Sequence, residues 1–137
     1  MSNRVKIVGG GTPKTSVHKY WNGNIPWFSV VDAPSDSDVF VIDTEKKITQ
    51  EGLENSSTRL LPEGATIISA RGTVGKCAMA GKTMAFNQSC YGLLSQDGKS
   101  VFYTYFLVRL SVGDLQRSGH GSVFNTITRN TLSLIHI

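Results

Sequence analysis

Between Glu63 and Asp97 this sequence has no acidic residue. The formal charges in that stretch are Arg71, Lys76 and Lys82, set among glycines and hydroxyl side chains. A surface without carboxylates does not repel phosphate, and glycine turns beside short hydroxyl-bearing residues let backbone N–H groups approach an anion closely. Cysteine is scarce too. Cys77 and Cys90 are too few for a disulfide-stapled scaffold, and with His18, His120 and His136 scattered elsewhere they lack the paired spacing of zinc ligands, so no metal is expected. The first residues, MSNRVKIV, lack the long apolar stretch of a secretory signal, and no other run is long enough to span a membrane. The expectation is a cytoplasmic chain with no membrane partner and with both thiols free and buried.

Catalytic patterns are missing as well. No serine stands in a G-x-S-x-G elbow, and the acids of residues 32–45 read as a solvated loop rather than a magnesium-binding cluster. Gly81-Lys82-Thr83 imitates the end of a phosphate-binding loop, but the position five residues before Gly81 is Lys76, so a hairpin turn is the better reading. Asn24-Ile25-Pro26-Trp27 comes close to the Asn-Pro-Pro-aromatic loop of adenine N6 methyltransferases; Ile25 stands where the first proline belongs, and no glycine-rich turn follows to cradle S-adenosylmethionine. The expectation is no catalytic residue, no cofactor and no small-molecule substrate.

What is present is 137 residues with 39% hydrophobic content, enough to bury one core as a single domain over residues 1–137. The net charge of +4 is unevenly spread: up to Glu63 the chain has seven Lys/Arg against eight Asp/Glu, and from Gly64 onward seven against two. The basic half is the candidate nucleic-acid face. Gly9-Gly10-Gly11-Thr12-Pro13 predicts a turn. Strands are expected over residues 25–32, 39–42, 65–70, 76–80 and 84–86, with a helical turn from Thr49 to Leu53. Spacing over VFYTYFLVRL predicts a helix over 101–110, followed by a polar loop over 111–122 and short strands within 126–137. Short strands with few helices indicate an α+β fold on a mixed, twisted β-sheet.

Four ordered blocks carry a resemblance: GGTPKTSVHKYWNGNIPWFSVVD, ITQEGLENSSTRLLPEGATIISARGTVGKCAM, FNQSCYGLL and GSVFNTITRNTLSLIHI. Together they resemble a target recognition domain of a type I restriction enzyme specificity subunit, from about Gly9 to the C-terminus. The resemblance implies a non-catalytic reader of double-stranded DNA that recognises one half of a split target for adenine methyltransferase and restriction/translocase subunits. It further implies a target recognition domain fold with the spacer helices missing, truncated relative to a full specificity subunit, because the sequence stops at Ile137. The alternative is a protein-interaction module or decoy that binds methyltransferase subunits without reading DNA.

Carried onto these residues, Ser69, Arg71, Gly72, Thr73 and Gly75 would form the strand and turn that present donors near DNA, with Arg71 and Lys76 neutralising phosphates; Lys14, Thr15 and Arg129 are further phosphate candidates. Gly72 and Gly75 equally suit simple backbone geometry. Asn87 and Gln88 read better as ties between loop and backbone than as base readers. Base readout is expected outside the matching blocks, in residues 33–47, in the hairpin 80–85 with Lys82, and in residues 111–122 with Gln116, Arg117, Ser118 and His120.

Overall fold

The computed structural model describes residues 5–34, 38–70, 75–95 and 101–117, with backbone alone at 5 and 111–117. Of the expected sites, Arg71, Gly72, Thr73, Ser118, His120 and Arg129 lie outside the described residues, as do the side chains of Gln116 and Arg117 and the strands expected within 126–137.

Among the described residues two sheets organise the fold. The larger has five strands: β1 (Val5–Gly9), β3 (Phe40–Val41), β5 (Thr66–Ser69), β6 (Cys77–Ala80) and β8 (Cys90–Ser95). Their spatial order is β1-β8-β5-β6-β3, antiparallel except where β3 lies parallel to β6. The smaller sheet has order β4-β2-β7, from β2 (Trp21–Phe28), β4 (Lys46–Ile48) and β7 (Ala85–Phe86); β4 runs antiparallel and β7 parallel to β2. Helix α1 (Gln50–Glu54) follows β4, and α2 (Val101–Arg117) follows β8.

The sequence explains the central strand. All four residues of β5 are buried, and they alternate between two apolar layers. Ile67 joins Val8, Val41, Leu61, Ala78 and Phe86 on one face. Ile68 joins Leu93 and Val108 on the other, which is where α2 docks. A strand covered on both faces reads as an unbroken apolar run rather than an alternation. A third cluster, Trp27, Ile48 and Ala85, fills the smaller sheet.

Several expectations are corrected. The strand expected over 25–32 begins at Trp21 and ends at Phe28, and Val30–Asp32 is a 3-10 turn. Asp32 closes that turn: one carboxylate oxygen accepts from the Ser29 N–H at 3.0 Å, and the other from the Glu45 N–H at 2.8 Å. It is therefore a structural acceptor and not part of a solvated loop. The polar loop expected from residue 111 is helical as far as Arg117, because α2 is anchored upstream by buried Thr104, Tyr105 and Val108 and propagates cheaply once nucleated. The glycine-rich start is an extended close approach. A Cβ on Gly10 would lie 2.3 Å from the Asn87 carbonyl oxygen, and one on Gly11 would lie 2.1 Å from the Ser57 hydroxyl.

Candidate nucleic-acid interface

Ser69 ends β5 almost fully buried, at 2% exposure. Its N–H donates to the Lys76 carbonyl and its hydroxyl accepts from the Lys76 N–H, both at 2.9 Å, while the Gly75 N–H donates to the Ser69 carbonyl at 3.0 Å. Gly75 adopts φ 91°, a left-handed conformation that side chains disfavour. Ser69 and Gly75 thus set the geometry of the β5–β6 connection, whose exposed charge among the described residues is Lys76. This hydroxyl, expected to face DNA, is turned inward instead.

A second cationic region lies on the smaller sheet. Lys14 and Thr15 are exposed, and the Lys14 carbonyl accepts from the Trp21 indole N–H at 3.2 Å. Thr15, Trp21, Asn22, Glu45, Lys46 and Lys47 line a cleft of about 290 Å³. Lys47 reaches Asp43 at 2.8 Å. That hydrogen bond, a bond from the Thr44 N–H and the positive field of Lys47 hold the Asp43 carboxyl below its usual range, with a smaller contribution from Lys82. Lys82 stands in the β6–β7 connection, which is fastened to the end of β3 by the Gly81 N–H donating to the Val41 carbonyl at 2.7 Å. Two of the three segments expected to read bases, 33–47 and 80–85, therefore meet at one edge of the molecule.

Sequence reasoning missed Asn22 and the cleft. Asn22 has φ 65°, the sole positive-φ residue other than glycine among those described. The signal was there, since Asn22-Gly23 is a turn dipeptide inside an otherwise extended run, as was the doublet Lys46-Lys47.

The near-miss motifs resolve plainly. Pro26 and Trp27 lie within β2, and Trp27 is buried with its indole N–H donated to the Gly11 carbonyl at 3.0 Å, so this segment is a strand and not a base-holding loop. The side-chain oxygen of Asn87 accepts from the Ser89 N–H at 3.1 Å, and Thr12 bonds to Gln88; both amides tie loops down. Cys90 is buried and Cys77 half-buried; burial pushes their thiols up to about 12 and about 11. Among the described residues no three His, Cys, Asp or Glu side chains are grouped to hold a metal, and no helix is long and apolar enough to cross a membrane.

Helix α2 carries an exposed apolar surface. Phe102, Phe106 and Leu110 follow one another at four-residue intervals on α2, each about half-exposed or more, and Phe102 meets Phe40 of β3 edge-to-face at 5.8 Å.

Known proteins place this geometry. The chain is 28% identical over 134 residues to the type I restriction enzyme MjaIX specificity subunit of Methanocaldococcus jannaschii, covering 96% of this chain and 31% of that protein. It is 30% identical over 119 residues to the EcoR124I/EcoR124II specificity subunit of Escherichia coli, covering 82% and 28% respectively. A solved chain from a type I restriction-modification complex superposes with a TM-score of 0.67 at 21% identity, over 95% of this chain and 30% of that one, which establishes the fold. The chain spans about a third of the length of these relatives. Residues 5–137 match the family profile of the type I restriction modification DNA specificity domain, and the chain belongs to that family.

Proposed function

We propose that this chain is a non-catalytic DNA reader, its 137 residues acting as one recognition unit that reads half of a bipartite duplex target for methyltransferase and restriction subunits. The observation that carries this reading is the family match over residues 5–137, and the exposed lysines support it. Lys14, Thr15 and Lys76 contact the phosphate backbone, and Arg71, Gly72, Thr73 and Arg129 are proposed to add to them. Lys82 faces the bases beside residues 33–47. Ser69 contributes by fixing the connection that carries Lys76.

Duplex binding measured by fluorescence anisotropy across a salt series tests this. The expected result is sequence-dependent binding whose log affinity falls with log salt by about 0.9 per phosphate neutralised. No binding to any duplex at low salt would refute it.

The apolar stripe on α2 favours a second reading, in which a methyltransferase subunit docks there. Capture by a methyltransferase subunit in the absence of DNA, abolished by Phe106→Glu, is its expected signature.

A further inference from the structure

Two short connections leave the larger sheet side by side. β3 lies parallel to β6 with Val41 opposite Ala80, and the Gly81 N–H extends that pairing by donating to the Val41 carbonyl at 2.7 Å. Ile42 then packs over Gly81, where a Cβ would come within 2.9 Å of its Cγ1. Both connections are pinned by bonds that leave their outer side chains exposed. After β6, Met84 is buried and exchanges backbone hydrogen bonds with Leu61 at 2.7 and 3.1 Å, so Lys82 and Thr83 form an exposed tip between two anchors. After β3, Thr44 is buried; its hydroxyl accepts from the Trp27 N–H and donates to the Lys46 carbonyl, and the next N–H, that of Glu45, donates to Asp32. Asp43 is exposed just before this anchor. Lys47 holds one of its carboxylate oxygens at 2.8 Å and also donates to the Thr44 carbonyl at 3.3 Å. Lys82, across the gap, stands near enough for its positive field to reach the Asp43 carboxylate.

A carboxylate is repelled by phosphate, so an exposed aspartate held among lysines has little use against the DNA backbone. Against base edges it has one: it accepts from the cytosine amine, while a lysine donates to guanine O6 and N7. The major-groove edge of a G·C pair places both acceptors on one base and the donor on the other. An A·T pair instead sets an acceptor on either side of its amine and adds a methyl group. A carboxylate and an ammonium side by side therefore match G·C. Asp43, Lys47 and Lys82 all lie outside the four blocks that carry the family resemblance, where differences in target must reside. We propose that Asp43 and Lys82 together read one G·C base pair in the major groove, Asp43 accepting from the cytosine amine and Lys82 donating to guanine, with Lys47 as the positioning residue for Asp43. This rests on the DNA-reading function proposed above and moves base recognition from the C-terminal end of α2 to the paired β3–β4 and β6–β7 connections.

Wild type, Asp43→Asn and Lys82→Ala chains are each incubated with a randomised duplex library, and the bound fraction is sequenced. Both side chains are exposed, so both variants are expected to keep the wild-type thermal midpoint. Each is expected to lose about tenfold or more of its discrimination, and at the same base pair, where wild type selects G·C. Asp43→Asn is expected to move the preference there toward A·T, because an amide pairs bidentately with adenine. Lys47→Met is expected to weaken the same preference and Lys47→Arg to restore it, which a merely stabilising ion pair would not do. Unchanged base preference in Asp43→Asn and Lys82→Ala, with wild type selecting a sequence, would overturn the assignment and leave the DNA-reading function standing. Changes at two separate base pairs would overturn the shared G·C reading. A uniform loss across all sequences in Lys82→Ala would make that lysine a phosphate contact and overturn it as well. Wild type that binds no duplex would overturn both this assignment and the DNA-reading function.

Discussion

The Thr58 hydroxyl donates to the Phe86 carbonyl at 2.7 Å and accepts from the Phe86 N–H at 3.3 Å, in the core of the molecule. Among the described residues no strand pairs with β7 beyond β2, and this hydroxyl serves the Phe86 backbone groups instead. Thr58→Val keeps the shape and leaves a buried N–H without its acceptor, which is expected to cost about 1–3 kcal/mol in chemical denaturation. Ser69 has a comparable role for Lys76, and the two residues separate cleanly by experiment. Ser69→Ala is expected to lower stability by about 1–2 kcal/mol because the Lys76 N–H loses its partner. Lys76→Ala is expected to leave stability within about 0.5 kcal/mol and to make the salt slope of DNA binding shallower by about 0.9. Gly11→Ala addresses the close approach at the start of the chain: its Cβ would meet the Ser57 hydroxyl at 2.1 Å and the Thr58 backbone nitrogen at 2.6 Å. Such a contact is relieved only by moving backbone, and a loss of about 1–3 kcal/mol should appear as a lower denaturation midpoint.

Among the elements, α1 was legible because Thr49 is a good N-cap ahead of a glutamate-bearing turn. Its hydroxyl accepts from the Gly52 N–H at 3.1 Å and donates to the Lys19 carbonyl at 2.7 Å. Thr49→Ala is expected to cost about 1 kcal/mol, read by thermal unfolding. Strand β4 was not legible. Lys46-Lys47-Ile48 has one apolar residue, and its extended state comes from pairing with β2 and from Thr44, whose hydroxyl accepts from the Trp27 N–H and donates to the Lys46 carbonyl at 2.6 Å. Strand β8 was hidden for a different reason. It lies between β1 and β5 with both faces in contact, so its apolar residues do not alternate, and Gly92 leaves room for the Leu61 methyls, one of which a Cβ there would meet at 2.6 Å. The length of α2 was underestimated because Ser111 and Gly113 have the composition of a loop; a glycine costs a helix only about 1 kcal/mol, less than the docked turns above it supply.

At the scale of the whole molecule, the buried Cys90 thiol and the half-buried Cys77 thiol tie stability to alkaline pH. Their pKa values in the folded chain, about 11 for Cys77 and about 12 for Cys90, lie above the ordinary value of 9.0, so the unfolded state loses its thiol protons first. The unfolded state then binds fewer protons, and stability falls as pH rises from about 9 toward 11 and 12. A thermal midpoint that declines across this window, less steeply in Cys90→Ala than in wild type, is the expected outcome. The sequence by itself determined the α+β class, most of the strand cores, the uneven charge and the family, because these rest on local composition and on the order of short motifs. Tertiary structure decided what the polar residues do. Ser69 and Asp32 became internal acceptors once strands from distant parts of the chain closed over them. Asn22, Glu45 and Lys46 came to share a cleft only through the pairing of β2 with β4. Hydrogen-bond direction and burial are properties of what surrounds a side chain, and those surroundings are assembled from residues far away along the chain.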